Sequence, residues 1–396
     1  MNALRQIIER EIASSGLIPF SRYMDLCLYH QEFGYYSRHA EQFGKTGDFY
    51  TSSDVHAVFG RLMARQFAEM WRVLGSPDRI EIRELGPGRG LFAQDVLDWS
   101  EKKFPGFFLA LRYVAIERSA RLRQRIEQTL KRHIEAGKAA VIPDWHEKSG
   151  KGTTSIVPAT PVGDWASAAE VPIVVFANEF FDALPVEILS ARGSLRIDAR
   201  DGRFVETWAP VSDEELAFLD RYSIHPEVDE RVEVSLAAQK TAHDLFSQFD
   251  RGFAVIVDYG YTREEQLAGR HRGTLKAIRQ HSVSANPYEA PGEQDITADV
   301  NFTALAAAAE KHGMRAQKLL TQSQFLMGIG EDNQFADAFE DCRLPQERAK
   351  VALQLKHLVT PAGMGESFHV LVASKAVEQE QTESLAGLSF GRRLTS

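Results

Sequence analysis

The spacing of apolar positions changes several times along the chain, and the changes divide it. Leu4, Ile7, Ile8 and Ile12 recur on one helical face, and Val58, Leu62, Phe67, Met70 and Trp71 do the same further on, so two helices are expected before residue 78. The stretches HQEFGYYS and GKTGDFYTSSD between them are too polar and too glycine-punctuated for a core element. From Arg79 the pattern alternates: strand 79–85, helix 91–99, strand 111–116, helix 122–133, a short strand 139–142 and a strongly apolar strand 171–177. Such alternation predicts parallel strands covered on both faces by helices. Residues 145–170 turn to Gly, Ser, Thr, Pro and Ala and read as a long loop or insertion.

The texture then shifts. Short runs at 187–190, 195–199 and 204–208, with turns at Arg192-Gly193 and Asp201-Gly202, read as antiparallel hairpins. A helix at 236–249 precedes a second buried strand at 252–260, a helix at 302–312 and a late strand at 368–373. The expected organisation is a helical cap with a lid loop (1–78), a catalytic core (79–190 and 250–375), an insertion (191–249) and a mobile, Glu/Gln/Ser-rich tail (376–396). The fold class is α/β, with a mostly parallel, Rossmann-like sheet.

Composition narrows the function classes. At 396 residues with 44% hydrophobic content the chain can bury a large core, and a formal net charge of −9 argues against a broad nucleic-acid footprint. Cys27 and Cys342 are the only cysteines, so no cysteine-built zinc site is expected and a reducing compartment is. No run of about 18 apolar residues predicts membrane insertion. The N-terminal residues mix Arg5 and Arg10 with Glu9 and Glu11, unlike a transit or signal peptide, which gives a cytoplasmic expectation.

Ligands of open parallel sheets bind beyond the carboxyl ends of the strands, so strand ends make the shortlist. The first is Glu84-Leu85-Gly86-Pro87-Gly88-Arg89-Gly90, between a strand and a helix. Glycines there bring a ligand close to free backbone N–H groups at the positive end of the helix dipole. A dinucleotide fingerprint would need glycine at position 91, which is Leu91, and this argues against a dehydrogenase reading. The acidic-x-G-x-G-x-G spacing resembles the cofactor loop of S-adenosylmethionine-dependent methyltransferases. Glu117, at the end of the next strand, can accept hydrogen bonds from both hydroxyls of a ribose. Asp144 and Trp145 either hold an adenine ring or are a surface acid beside a packing tryptophan. Asn178 and Glu179 end the most apolar strand; Asp182 is either a second functional carboxylate or a cap for the turn before Pro185. His281, Thr297 and Asp299 lack metal spacing, and the last two could cap the helix near Phe302, so no metal site is expected.

The segments SRYMDLCLYHQEFGYY, GKTGDFYTSSDVHAVFG, ELGPGRG, ANEFFDALPVE, VIVDYGY, GEQDITADVNF and TQSQFLMGIG together resemble the MidA-like family of S-adenosylmethionine-dependent methyltransferases. Its mitochondrial members are assembly factors for respiratory complex I and methylate an arginine of a core subunit. The resemblance implies a class I methyltransferase sheet and S-adenosyl-L-methionine held by Gly86, Gly88 and Gly90 with its ribose on Glu117. It also implies a protein substrate, with a complex I subunit as the first candidate. Ser53 and Asp54 depart from the proline and glutamate expected of the family in GDFYTSSDV. Beside it, Asp48, Tyr50 and Thr51 are the expected lid or substrate contacts, Glu84, Pro87 and Asn178 further cofactor contacts, and Glu179 and Asp182 the catalytic carboxylates. The rival reading is an assembly chaperone whose cofactor site is structural.

Overall fold

The computed structural model describes residues 2–38, 57–144, 171–248, 250–279, 282–284, 286–331 and 333–390. Asp48, Tyr50, Thr51, Trp145 and His281 lie outside the described residues. The chain forms two compact units, one of Thr51–Asn178, Ser247–Val257 and Gly313–Ser396, the other of Met1–Tyr50, Glu179–Phe246 and Asp258–His312.

The first unit is built on a sheet with strands β1 (Ile80–Leu85), β2 (Leu111–Ile116), β3 (Ala139–Ile142), β4 (Ile173–Asn178), β5 (Gly252–Tyr261, of which 252–257 belong here), β6 (Arg315–Ala316) and β7 (Phe368–Lys375). Their order is β3-β2-β1-β4-β5-β7-β6. The first five are parallel, and β6 runs antiparallel to β7. Strand order reverses at β1/β4, the switch point where doubly wound sheets take up ligands. Every residue of β2 is buried, as a strand covered on both faces requires. The helix Ala57–Val73 lays Phe59 and Phe67 against Phe92 and Phe176, and the last two rings stack at 4.5 Å. Each buried phenylalanine is worth roughly 1.5–3 kcal/mol. Gly60 lets that helix approach the helix Leu91–Lys103, because a Cβ there would lie 2.6 Å from the Cβ of Asp95.

The second unit carries an antiparallel sheet of Ile18–Pro19, Gly193–Arg200, Glu187–Ser190 and Val232–Val234, with Arg203–Ala209 beside Gly193–Arg200. A smaller sheet joins Ser282–Ser284, Lys276–Arg279 and Asp295–Thr297. Leu4, Ile8 and Ile12 of the helix Ala3–Ser15, and Tyr23, Met24 and Cys27 of the helix Phe20–Tyr29, share one apolar core with Ile188, Leu195, Ile197 and Phe204 of the hairpins.

This division corrects the expected domains. The N-terminal helices belong with the hairpins because Ile18 and Pro19 pair with Ile197 and Arg196. They are therefore not one cap of residues 1–78, and 191–249 is not a separate insertion. The helix Ala57–Val73 falls instead in the sheet unit. The tail is corrected too, since residues 379–390 are docked. The helix Gln379–Glu383 leads into a 3₁₀ turn, Ala386–Leu388. There the Gly387 N–H donates to Gln66 Oε1 at 2.8 Å and the Ala386 N–H to Glu69 Oε2 at 3.0 Å. Leu385, Ala386 and Gly387 are buried, a short anchor concealed by a polar composition.

Candidate active site

The glycine loop between β1 and the helix Leu91–Lys103 has an unusual backbone. Gly86, Gly88 and Gly90 all lie in the left-handed region, at φ 61, 54 and 75. Glycine adopts that conformation at no cost because it has no Cβ to crowd against the following carbonyl. A Cβ built on Gly88 would meet no heavy atom within 4 Å, so the loop surface is open to a ligand at that point. The helix begins on Gly90 with no side-chain cap and no acid in its first turn. Its first N–H groups and positive dipole end therefore remain to be satisfied by something else. The loop is pinned from behind by hydrogen bonds from the Gly86 N–H to Ile116 O at 3.1 Å and from the Gly90 N–H to Pro87 O at 2.8 Å.

Glu117 stands half-buried just past β2. One of its oxygens accepts the Ser119 N–H at 2.7 Å, which fixes the direction of the carboxylate. Burial pushes its carboxyl up from the ordinary 4.5 to about 7, against the pull of the Ser119 N–H and of Arg123 and Arg118. Asp144 follows β3 on the surface, and Asn178 ends β4 half-buried.

Glu84 is corrected. Its carboxyl lies in the core and accepts the Tyr113 hydroxyl at 2.9 Å, so it supports the loop from below rather than reaching a ligand. Burial pushes it up from 4.5 to about 8. The folded state thus holds this proton more tightly than the unfolded chain. The stability it contributes is complete below the unfolded value and is lost as pH rises through about 8, at about 1.4 kcal/mol per pH unit. Glu84→Gln keeps an acceptor for Tyr113 and removes the titration. Melting temperatures of the variant are expected to be flatter between about pH 4.5 and 8 than those of the wild type, and higher at the alkaline end. Parallel slopes for the two proteins would contradict this.

The second unit holds a cluster of carboxylates. Glu179 adopts φ 51, a left-handed conformation rare outside glycine, at a cost of about 1–2 kcal/mol. The turn it opens is held by Asp258, fully buried, whose Oδ2 accepts the N–H groups of Phe180, Phe181 and Asp182 at 3.2, 3.0 and 3.3 Å. Its Oδ1 accepts the Tyr259 N–H at 3.0 Å. Burial drives the Asp258 carboxyl well above the ordinary range, and the charges of Asp182 and Glu179 push the same way. Asp182 is buried and raised by burial, while the Tyr259 hydroxyl donated to its Oδ2 acts in the opposite sense. The Ala183 N–H of the turn before Pro185 acts on this buried carboxylate too. Neither Thr297 nor Asp299 caps the helix Phe302–Lys311; Asn301 does, accepting the Ala304 N–H at 2.9 Å.

In the sequence, Asp258 and Tyr259 stand out only as part of VIVDYGY, with no role of their own. The signal was present: an acid closes the apolar run 252–257, as Glu117 closes β2. Among the described residues, no group of three or more His, Cys, Asp or Glu is arranged to hold a metal ion, and no helix is long and apolar enough to cross a membrane.

A reversed-order parallel sheet, a left-handed glycine loop at an uncapped helix start and an acid on the neighbouring strand define a nucleoside-cofactor enzyme of the α/β class. Over residues 62–320 the chain matches the family described as "Putative S-adenosyl-L-methionine-dependent methyltransferase", and it belongs to that family. It is 29% identical to the Drosophila melanogaster protein arginine methyltransferase NDUFAF7 homolog, mitochondrial, over 93% of this chain and 84% of that one. It is 27% identical to the Homo sapiens protein arginine methyltransferase NDUFAF7, mitochondrial, over 91% and 80%. Among solved structures it is similar to a methyltransferase candidate from Burkholderia thailandensis bound to S-adenosyl-homocysteine, with TM-score 0.79, 27% identity and coverage of 98% and 94%. The protein is an S-adenosylmethionine-dependent methyltransferase with a mixed α/β sheet, and the open glycine loop, uncapped helix and fixed Glu117 fit that cofactor.

Proposed function

We propose that this protein methylates a side-chain nitrogen of an arginine in a protein substrate, and that the substrate is a subunit of respiratory complex I. The observation that carries the reading is the left-handed glycine run at an uncapped helix start, in a chain whose similarity to a protein named an arginine methyltransferase spans 93% of its length.

When bound, S-adenosylmethionine supplies a methyl group activated on a sulfonium. Gly86, Pro87, Gly88 and Gly90 would bring the backbone close to it, Glu117 would accept from its ribose, and Asp144 and Asn178 would offer polar groups at the ends of the flanking strands. A guanidinium is a weak nucleophile because its lone pairs are delocalised and it stays protonated near neutral pH. Carboxylates overcome this by orienting the group, localising its charge and taking the proton it loses. Glu179 and Asp182 have that role, and burial raises the proton affinity of Asp182, which suits it to take the proton the guanidinium loses.

The test is methyl incorporation from labelled S-adenosylmethionine into complex I subunits purified from cells lacking this protein. Label is expected on one arginine, and mass spectrometry of untreated subunits from those cells should show that methylarginine missing. A complex I that accepts no label and lacks no modification would leave the chaperone reading standing.

A further inference from the structure

We infer that the unit containing Asp182 holds a subsite for an organic cation, built from Asp182, Thr297 and Tyr259. Its assignment to the guanidinium of an acceptor arginine rests on the function proposed above. Two buried oxygens carry the inference. Asp182 is 6% exposed and Thr297 2% exposed, and neither Asp182 Oδ1 nor Thr297 Oγ1 has a hydrogen bond of good geometry among the described residues, although the Ala183 N–H acts on Asp182 and Thr297 acts on the Tyr259 hydroxyl. The two segments are tied together, since the Ala298 N–H donates to the Asp182 carbonyl at 3.0 Å. Tyr259 donates its hydroxyl to the other oxygen of Asp182, which fixes the carboxylate.

Two other buried carboxylates of this unit are well supplied with donors, whereas Glu187 Oε2 also lacks one. Asp258 accepts four N–H groups. Glu233 accepts from the Thr274 N–H and hydroxyl, both at 3.1 Å, and from the Leu275 N–H at 3.3 Å. Asp182 alone of these three is half-served. A buried carboxylate oxygen without a donor is costly, and a catalytic or ligand-binding role is one reason a native protein keeps one.

The charge balance points the same way. Besides burial, the charges of Asp182 and Glu179 raise the proton affinity of Asp258, that of Asp299 raises Asp182, and neither Asp182 nor Asp258 forms an ion pair with lysine or arginine among the described residues. Lys276 acts on Asp182 at longer range, but its ammonium is bound to Asp299 at 3.1 Å and lies 5.0 Å from the centre of the Tyr259 ring. Asp299 and Tyr36 also face the pair, and Tyr36 donates its hydroxyl to Asp295 at 3.1 Å. A guanidinium presents several N–H donors in one plane, enough to serve a carboxylate oxygen and a hydroxyl at once, and the aromatic rings favour a cation further.

The experiment uses the full chain saturated with S-adenosyl-homocysteine and titrated with N-acetyl-arginine methylamide, its neutral citrulline counterpart and its lysine counterpart. Isothermal titration or NMR gives the affinity, and the affinity for S-adenosyl-homocysteine is measured separately. The arginine compound is expected to bind and the citrulline compound to fail. Asp182→Asn should weaken binding about tenfold or more, and Thr297→Val by a smaller factor, with cofactor-product affinity unchanged. Should Asp182→Asn fail to fold, Thr297→Val decides alone. Arginine binding insensitive to both changes overturns the subsite and leaves the arginine reading in place. Asp182-dependent binding of the lysine compound, with the arginine compound rejected, keeps the subsite and overturns the arginine reading. No binding of either cation, or equal binding of citrulline, overturns the subsite.

Discussion

Gly88→Val is expected to give a folded protein that has lost S-adenosyl-homocysteine binding by about a hundredfold or more, which is ~2.7 kcal/mol. The residue sits at φ 54, so a side chain there is strained by about 1–2 kcal/mol. That is small against the roughly 5–15 kcal/mol that holds a domain together. No protein atom lies within 4 Å of the new Cβ, so the valine meets nothing in its own chain and instead fills the approach to the loop backbone. Gly90 is a poorer choice, because its Cβ would press on Ile126 Cγ2 at 3.1 Å and mix a packing defect with the binding defect. Gly137→Val is the matched control: φ is 70, nothing lies within 4 Å, and the position is an exposed turn before β3. Thermal melts should show similar losses for the two variants, and calorimetric titration should show lost binding for Gly88→Val alone. A Gly88→Val protein that binds within a few-fold of wild type would remove the glycine loop from the site.

The sheet was legible in the sequence because each parallel strand is a short apolar run closed by a turn or an acid. The limits of β1, β2 and β3 coincide with the runs to within a residue. What pattern could not show was partnership. Ile18 and Pro19 look like a linker until they pair with a strand almost two hundred positions away, and that pairing assigns the N-terminal helices to the hairpins. The helix Phe20–Tyr29 buries six of its ten residues, so its apolar positions do not form a clean stripe. Glu84 shows the same limit at a single side chain. Both faces of β1 are covered, so alternation gave no sign that this acid points into the core toward Tyr113. Asp258 is hard to recognise from sequence because its partners are backbone N–H groups, which no residue type advertises.

Asp258→Ala is expected to cost at least about 3 kcal/mol of stability, far more than Asp258→Asn. The alanine leaves the N–H groups of Phe180, Phe181 and Asp182 without their acceptor in a buried turn, and each such group costs about 1–3 kcal/mol. It also releases Glu179 from its left-handed conformation, because those three bonds hold the turn that follows. One effect opposes the loss. The carboxyl of Asp258 has a raised proton affinity in the fold, so its ionised form is disfavoured, and the wild type gives up stability as pH rises above the unfolded carboxylate range. The variants lack that titration, so the deficit of the alanine protein should be greatest in acid and shrink toward alkaline pH. Asparagine keeps an acceptor oxygen for the three N–H groups but turns an amide toward the Tyr259 N–H, a donor facing a donor. Its expected stability lies near wild type at neutral pH. Chemical denaturation gives the free energies, and hydrogen exchange at Phe180, Phe181 and Asp182 reports the turn directly, with fast exchange in the alanine protein and retained protection in the asparagine protein. Equal protection in both would mean that something other than this carboxylate holds the turn, and the placement of Glu179 and Asp182 would then need another cause.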